Sequence, residues 1–360
     1  MGNMLKTMKK PAKSAGLSGL GPALGVVLGI ALSVLAATTR DSGAAEGDRA
    51  NRMANFARPT SVPFPSDNPY SPEKAELGRK LFFDPLISAS GTISCATCHH
   101  PRLAWADGLP RAVGEARTPL PLRSPTVLGA AWLEGFGWDG KFPTLESVAF
   151  APVSAAANLG RSEQELLRDI AQDAIYRAAF DRLFPGEGVS RSTVERVLAT
   201  YQRTIVPAPA PFDRWISGDE AAISDNAKRG FDLFTGRAGC SECHATWRFT
   251  DDSFRDIGSG GDNDLGRGRL FPNSQALQHA FKVPTLRDVA KRAPYMHDGS
   301  LPTLESVIAL YDRGGVARPS RDVHIHPLQL STQERDDLIA FLQALTGDAA
   351  RDTAPIIPTR

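Results

Sequence analysis

The sequence of 360 residues has few sulfur-containing side chains and no excess of either charge. Its 41 Lys and Arg residues are balanced by 40 Asp and Glu residues, so the basic surplus typical of nucleic-acid-binding proteins is missing. All four cysteines lie in two short motifs, which leaves none for a disulfide. Only Met53 and Met296 occur after residue 45, so methionine ligands are scarce. No sustained alternation of strand type is present, and the sequence therefore predicts a mainly α fold.

The two cysteine motifs, residues 95–99 and residues 240–244, share the pattern C-x-x-C-H. In a c-type haem site two such thiols bind the haem vinyl groups and the histidine ligates the iron. A redox dithiol or half of a zinc site is the alternative for a single copy. Zinc needs further ligands nearby and a dithiol does not need the histidine, so two complete copies predict two covalently bound haem c groups. The residues expected to hold them are Cys95, Cys98 and His99 for the first and Cys240, Cys243 and His244 for the second.

Residues 1–45 have the features of an export signal. Lysines precede an apolar stretch over residues 17–37, and small residues at Gly43 and Ala45 permit cleavage before Glu46. The apolar stretch is long for a signal peptide, so an uncleaved anchor is the alternative, and only that form would touch a membrane. In both cases the folded part is exported, and we expect a periplasmic protein if the host is Gram-negative.

The remaining chain is expected to contain two haem domains. We predict an extended linker over residues 46–70, an N-terminal domain over residues 71–206, a C-terminal domain over residues 207–347 and a tail over residues 348–360. The boundary is placed at Pro207, Pro209 and Pro211, which indicate a stiff segment. Helix starts are predicted at Ser71 followed by Pro72, and at the Ser-x-x-Glu capping boxes that begin at Ser162, Ser192 and Ser331.

An internal repeat relates the two halves. Residues 139–148 match residues 298–307 with an offset of 159, and the same offset takes residues 125–126 to residues 284–285. Upstream of the two motifs, Gly78 and the Leu-Phe pair that follows it match Gly230 and its own Leu-Phe pair. The repeat predicts two tandem cytochrome c-like domains related by internal duplication.

The repeat also points to a second axial ligand. The offset relates Tyr311 to Pro152, so a phenol in one half corresponds to a side chain with no donor in the other. If this position faces the iron, His244 and Tyr311 close the second haem, and the first haem stays open for a substrate. The alternative for Tyr311 is a tyrosine that only fills the core.

Five further motifs stand out in the sequence: residues 81–84 (LFFD), 91–94 (GTIS), 138–140 (WDG), 281–287 (FKVPTLR) and 294–299 (PYMHDG). Through them the sequence resembles the bacterial di-haem cytochrome c peroxidases from about residue 71 to residue 347. In ordinary members a methionine stands fourteen residues after the histidine of the last shared motif, and here that position is Tyr311. In this the sequence resembles the MauG-like branch, whose members carry a tyrosine there and oxidise tryptophan side chains of a partner protein.

The resemblance implies an oxidoreductase that activates hydrogen peroxide at the N-terminal haem and oxidises a protein substrate or a small redox donor, such as a cytochrome or cupredoxin. It places Trp138 between the haems as an electron relay, with core packing as the alternative. Two further functions stay open, an ordinary cytochrome c peroxidase that detoxifies peroxide and a di-haem electron carrier. The axial ligand of the second haem separates the first two, and reactivity with peroxide separates both from the third.

Several positions depart from the family. The glutamine and glutamate over the open haem are Val148 and Asn158 here, and neither side chain titrates near neutrality. We therefore expect Val148, Pro152 and Asn158 on the distal side of the open haem, and slow peroxide activation unless Glu115, Glu134 or a water substitutes.

Two other departures concern the region around the haems. The family holds a calcium ion between them, with an asparagine at the position of Arg123. A guanidinium can replace the charge of the ion, so the sequence argues against calcium. The tryptophan that MauG carries two residues before its second haem motif is Ala238 here, so an electron route through that residue is not expected.

Overall fold

Helices are the main regular secondary structure of the described residues. A computed structural model of the chain describes Asn51 and residues 53–348. Two short strands, β1 (Phe254–Arg255) and β2 (Phe281–Lys282), pair antiparallel. The prediction of a mainly α fold is confirmed, whereas the predicted signal or anchor over residues 1–45 lies outside the described residues. The helices are α1 (Pro72–Phe83), α2 (Cys95–Cys98), α3 (Leu145–Ser154), α4 (Glu163–Gln172), α5 (Ala174–Leu183), α6 (Arg191–Arg203), α7 (Pro211–Ile216), α8 (Asp225–Thr235), α9 (Leu304–Asp312) and α10 (Thr332–Ala344).

Side-chain caps begin most of the longer helices. The N-cap of α6 is Ser190 and not Ser192, so the predicted start of this helix was wrong by two residues. The reciprocal partner of Ser190 is Thr193, whose hydroxyl accepts from the Ser190 backbone N–H at 2.9 Å, the place that a glutamate takes in the predicted box. The other predicted caps are confirmed, at Ser71 for α1, Ser162 for α4 and Ser331 for α10.

The first hydrophobic core lies among α1, α3, α4, α5 and α6. Gly78 lets α1 cross α6 at close range, because a Cβ atom at this position would lie 1.9 Å from the carbonyl oxygen of Val197. Large apolar side chains fill the remaining space and exclude water, which stabilises the packing of these helices. The fully buried members include Leu81, Phe82, Phe150, Leu166 and Phe180.

The second hydrophobic core lies between α8 and α10 and repeats this arrangement. Gly230 lets the two helices cross, because a Cβ atom there would lie 2.0 Å from the carbonyl oxygen of Asp337. The core is rich in aromatic rings, and Phe212 meets Phe341 edge to face with ring centroids 5.7 Å apart. Gly78 and Gly230, which the repeat pairs in the sequence, thus perform the same packing task.

The two repeated segments also share local structure. Thr144 caps α3 with Ser147 as its partner, and Thr303 caps α9 with Ser306 in the same way. Ahead of these caps, Phe136 forms an antiparallel bridge with Phe142, and Tyr295 forms the equivalent bridge with Leu301. These matched contacts confirm the predicted internal duplication.

The segments outside the repeat connect the cores. Phe56 is 3% exposed and stacks on Phe249 of the second core, with ring centroids 4.8 Å apart. Asn68 is buried against the first half, where it donates to Glu146 at 2.9 Å. Pro211 begins α7 rather than continuing a stiff extended segment, because proline suits the first position of a helix. Within the part of the chain that the structure describes, every helix is too short or too polar to cross a lipid bilayer.

Candidate haem sites and the region between them

The first motif presents a histidine with one ring nitrogen available as a ligand. His99 follows α2, and its Nδ1 donates to the backbone oxygen of Trp105 at 3.3 Å, which leaves the lone pair on Nε2. Burial lowers the pKa of His99 below its ordinary value, although the carbonyls of Trp105 and Pro125 and the charge of Asp107 oppose this effect. The ring is therefore neutral at pH 7, the form that ligates iron.

The second motif has the same arrangement. Nδ1 of His244 donates to the backbone oxygen of Phe249 at 2.8 Å, so Nε2 is again the free nitrogen. Burial lowers the pKa of His244, and the positive charge of Arg292 lowers it further. The carbonyls of Phe249 and Pro284 act in the opposite direction. Both motifs therefore hold a neutral imidazole in a fixed orientation.

All four thiols of the two motifs have a raised pKa. Burial raises the pKa of Cys95 and of Cys240 to about 12 and that of Cys243 to about 11. A redox dithiol depends on a lowered thiol pKa, so these values disfavour that alternative. Among residue 51 and residues 53–348, no group of three or more His, Cys, Asp or Glu side chains is arranged to hold a metal ion. The donor set instead fits two haem groups.

Tyr311 lies beside the second motif. It is carried by α9, and its pKa is raised by burial and by the nearby thiols of Cys240 and Cys243. Pro152, the equivalent residue of α3, has no donor atom in its side chain, and its backbone oxygen accepts from Leu159 at 3.1 Å. The two halves therefore present different chemistry at matching positions.

The residues predicted for the distal side of the open haem lie in and just after α3. Val148 packs against a small apolar cluster of the first half. Asn158 is in the turn after α3, and its backbone oxygen accepts from the Glu115 backbone N–H at 2.6 Å. Glu115 is half-buried and accepts from the Ser90 hydroxyl at 3.1 Å, whereas Glu134 is exposed. The structure thus brings Glu115, and not Glu134, into contact with a predicted distal residue.

Trp138 contacts residues of both halves. Its Nε1 donates to the backbone oxygen of Arg123 at 2.8 Å, and its own backbone oxygen accepts from the Lys282 N–H at 2.8 Å. Its ring meets the ring of His297 edge to face, with centroids 6.4 Å apart. His297 is 3% exposed and makes a hydrogen bond of 2.6 Å with Oδ2 of Asp264. Trp138 therefore lies where the segment ahead of α3 in the N-terminal half meets the C-terminal half.

Sequence reasoning did not find two contacts in this region. Asp264 lies in the glycine- and aspartate-rich stretch over residues 258–268, and nothing in its spacing links it to His297. Arg292 was not singled out either, although it lies buried against Arg123. The departure from asparagine at Arg123 was the one signal that pointed to this region.

The fold and the two motifs are those of a helical protein with two haem-binding motifs, one in each duplicated half. A family model described as di-haem cytochrome c peroxidase matches residues 72–221. The chain is 49% identical over 324 residues to the methylamine utilization protein MauG of Methylorubrum extorquens. This match covers 89% of this chain and 92% of the relative. It is 45% identical over 311 residues to the protein of the same name from Methylophilus methylotrophus, covering 84% and 91%.

A solved structure of a MauG-like protein associated with microbial copper homeostasis superposes with a TM-score of 0.77 at 30% identity. The match covers 84% of this chain and 99% of that one. The chain therefore belongs to the di-haem cytochrome c peroxidase and MauG family. It is an oxidoreductase of the haem peroxidase class, as the sequence predicted.

Proposed function

We propose that the chain uses hydrogen peroxide to oxidise a protein partner, and that Tyr311 adapts the second haem to this task. The observation that carries the proposal is the position of Tyr311 against the thiols of the second motif. A thioether ligand favours ferrous iron, whereas a hard, anionic phenolate favours ferric and higher states. The similarity to two proteins named MauG supports a protein substrate over a small one.

The haem groups supply peroxide activation and electron transfer when they are bound. Cys95 and Cys98 would attach the first haem covalently, and Cys240 and Cys243 would attach the second. His99 and His244 would bind the iron through Nε2, while the carbonyls that accept from Nδ1 fix the plane of each imidazole ring. Tyr311 would be a further ligand of the second haem.

The first site is open to peroxide because Pro152 offers no ligand atom. Asn158 and Val148 lie on this side of the site, where Asn158 donates hydrogen bonds but does not titrate. The half-buried Glu115, whose backbone is bonded to Asn158, is the candidate carboxyl group for moving a proton at the open site. Trp138 relays electrons between the sites, which its contacts with both halves support.

The location and domain limits are part of the same proposal. We propose a periplasmic protein with an N-terminal haem domain over residues 71–206 and a C-terminal one over residues 207–347. The separate hydrophobic cores of the two halves support these limits. The proposed electron source is a protein that takes part in methylamine utilization, the process that gives the two relatives their name.

The test of a protein substrate is oxidation of a candidate partner by peroxide. An exported amine dehydrogenase precursor or a small tryptophan-containing protein encoded beside this chain is mixed with the enzyme and peroxide. We expect oxygen added to tryptophan side chains of the partner, detected by peptide mass spectrometry, only when enzyme and peroxide are both present. Rapid oxidation of a small cytochrome, with no change in any protein partner, would instead support an ordinary peroxidase.

The role of Tyr311 is tested by replacing Tyr311 with methionine. We expect the reduction potential of the second haem to rise by on the order of 0.1 V, within the roughly 0.8 V range that axial ligands span. The potential is measured by spectroelectrochemical titration. The control is Tyr295→Phe, which removes another buried phenol, one that donates to Val289 at 3.2 Å. Equal potentials in wild type, Tyr311→Met and the control would show that Tyr311 only fills the core.

A further inference from the structure

Five arginines are buried among the described residues, each at most 7% exposed, and they divide into two groups. Three of them form an ion pair with a carboxylate, which compensates the cost of burying a charge. Arg123 and Arg292 form no ion pair with any described residue, although they are only 7% and 6% exposed. The three compensated pairs are Arg203 with Glu146, Arg248 with Asp252 and Arg287 with Asp213.

The two unpaired arginines contact each other. Nη2 of Arg123 donates to the backbone oxygen of Arg292, and Nη2 of Arg292 donates to the backbone oxygen of Thr285. The Nε atom of each guanidinium is buried and has no hydrogen-bond partner. Neutral carbonyls are therefore the only acceptors these guanidinium groups have within the described chain, and two donors are left unsatisfied.

The two positive charges also repel each other. Burial, and then the charge of Arg123, lowers the pKa of Arg292 to about 10. Buried charges in proteins are usually paired or bound to a ligand of opposite charge. An anion beside both groups would satisfy the free Nε donors and remove this repulsion.

The pair lies between the two haem motifs. Arg123 directly precedes Ser124, whose side chain lies close enough to the Cys98 thiol to lower its pKa, so Arg123 adjoins the first motif. Arg292 is close enough to His244 to lower the pKa of that ring, so it adjoins the second. The contact between Arg123 and Arg292 spans 169 residues of sequence and joins the surroundings of both haems.

We propose that Arg123 and Arg292 together bind carboxylate groups in this region, and that these carboxylates are the propionate groups of the two haems. A guanidinium matches a carboxylate with parallel hydrogen bonds, and its unsatisfied Nε belongs to that donor set. Two guanidinium groups carry the charge of one divalent cation, so the pair takes the place that a bound metal ion would have between the haems. The proposal requires two bound haems but not the peroxide reaction proposed above.

The first test replaces each arginine by glutamine in the haem-loaded protein. Loss of a positive charge near the propionates favours ferric iron, so Arg123→Gln and Arg292→Gln should each shift at least one haem midpoint potential to more negative values. Arg123→Lys keeps the charge and should stay near the wild-type potential. The matched control is Arg203→Gln, a buried arginine with its own carboxylate, which should lower thermal stability without shifting either potential. Wild-type potentials in both glutamine variants would overturn the proposal.

The second test needs no variant and therefore does not depend on how the variants fold. Purified wild-type protein should contain no stoichiometric calcium by mass spectrometry of its metal content, and EGTA should change neither potential. Added phosphate or chloride should also leave the potentials unchanged, because propionates already occupy the site. Bound calcium whose removal shifts a potential, or a shift on adding phosphate, would overturn the proposal.

Discussion

Tyr311 and Pro152 show how one substitution can separate two copies of a duplicated site. Both residues lie on the helix that follows the same threonine cap, α9 in one half and α3 in the other. The backbone arrangement is therefore shared, and only the side chain decides whether a ligand atom is offered. If Tyr311 ligates the second haem as proposed, a single residue in each half assigns one haem to substrate and the other to holding oxidising equivalents.

The proton needed at the open haem gives a prediction at Asn158. Replacing Asn158 with glutamate adds a titrating group, and a positioned acid or base contributes about 10²–10⁴-fold to such a step. We expect Asn158→Glu to react with peroxide up to about 10²-fold faster than wild type, measured by stopped-flow absorbance. Asn158→Gln, which adds length but no titrating group, should leave the rate near that of wild type.

A fast wild-type reaction would change the assignment of the proton donor. If that rate is unaffected by Asn158→Glu and is lost in Glu115→Gln, Glu115 performs the transfer. If the fast reaction with peroxide is instead lost in Glu134→Gln, Glu134 acts at the open haem, contrary to its exposed position in the structure.

Trp138 gives a second prediction at the residue scale. Trp138→Phe keeps an aromatic ring but removes the hydrogen bond to Arg123, at a cost of about 1–3 kcal/mol in the free energy of unfolding. After peroxide addition, we expect the near-infrared absorption from charge shared between the haems to be lost. The control is Trp132→Phe, because Trp132 meets Trp247 edge to face and has no contact with Arg123 in the described chain. Identical near-infrared absorption in all three proteins would leave Trp138 a packing residue only.

The sequence identifies residues well when a short motif or a fixed offset carries the information. The histidines and cysteines follow from local patterns, and Tyr311 follows from the repeat. The contacts of Asp264 with His297 and of Arg123 with Arg292 could not be predicted, because they join segments 33 and 169 residues apart with no repeated spacing. That Arg123 forms no ion pair with a described residue is visible only when its surroundings are known.

At the scale of elements, paired helices depend on a glycine in each half. Gly78→Ala or Gly230→Ala would place a methyl group against a backbone carbonyl that cannot move aside. We expect each substitution to lower the free energy of unfolding by about 1–3 kcal/mol. Denaturant unfolding monitored by circular dichroism measures this loss. Gly261→Ala, where the added atom meets open space, is the control and should change stability by less than about 1 kcal/mol.

If Gly78→Ala and Gly230→Ala were both as stable as the wild-type protein, the paired helices would have to move apart without loss of stability, contrary to the packing described here.

Helix starts were largely predictable because a serine cap and its partner are close in sequence. The start of α6 was missed because Ser190 and Ser192 compete, and Thr193 satisfies the backbone of Ser190 as well as a glutamate would.

At the scale of the whole molecule, the duplicated halves predict two haems per chain. Mass spectrometry of the purified protein should show two covalently bound groups. The double variant Cys95→Ser, Cys98→Ser should retain one, because the second motif has its own thiols and histidine. Cys240→Ser with Cys243→Ser is the matched variant for the other half. One haem in the unaltered protein would contradict the two-site architecture.

Phe56 makes the beginning of the described chain a part of the second core. This ring precedes both haem motifs in the sequence, yet it packs against Phe231 and Phe249, which flank the second motif. Phe56 therefore has to wait for its aromatic partners until the chain beyond the first motif is present. The second core cannot be completed in the order of the sequence, because it needs residues from both sides of the first half.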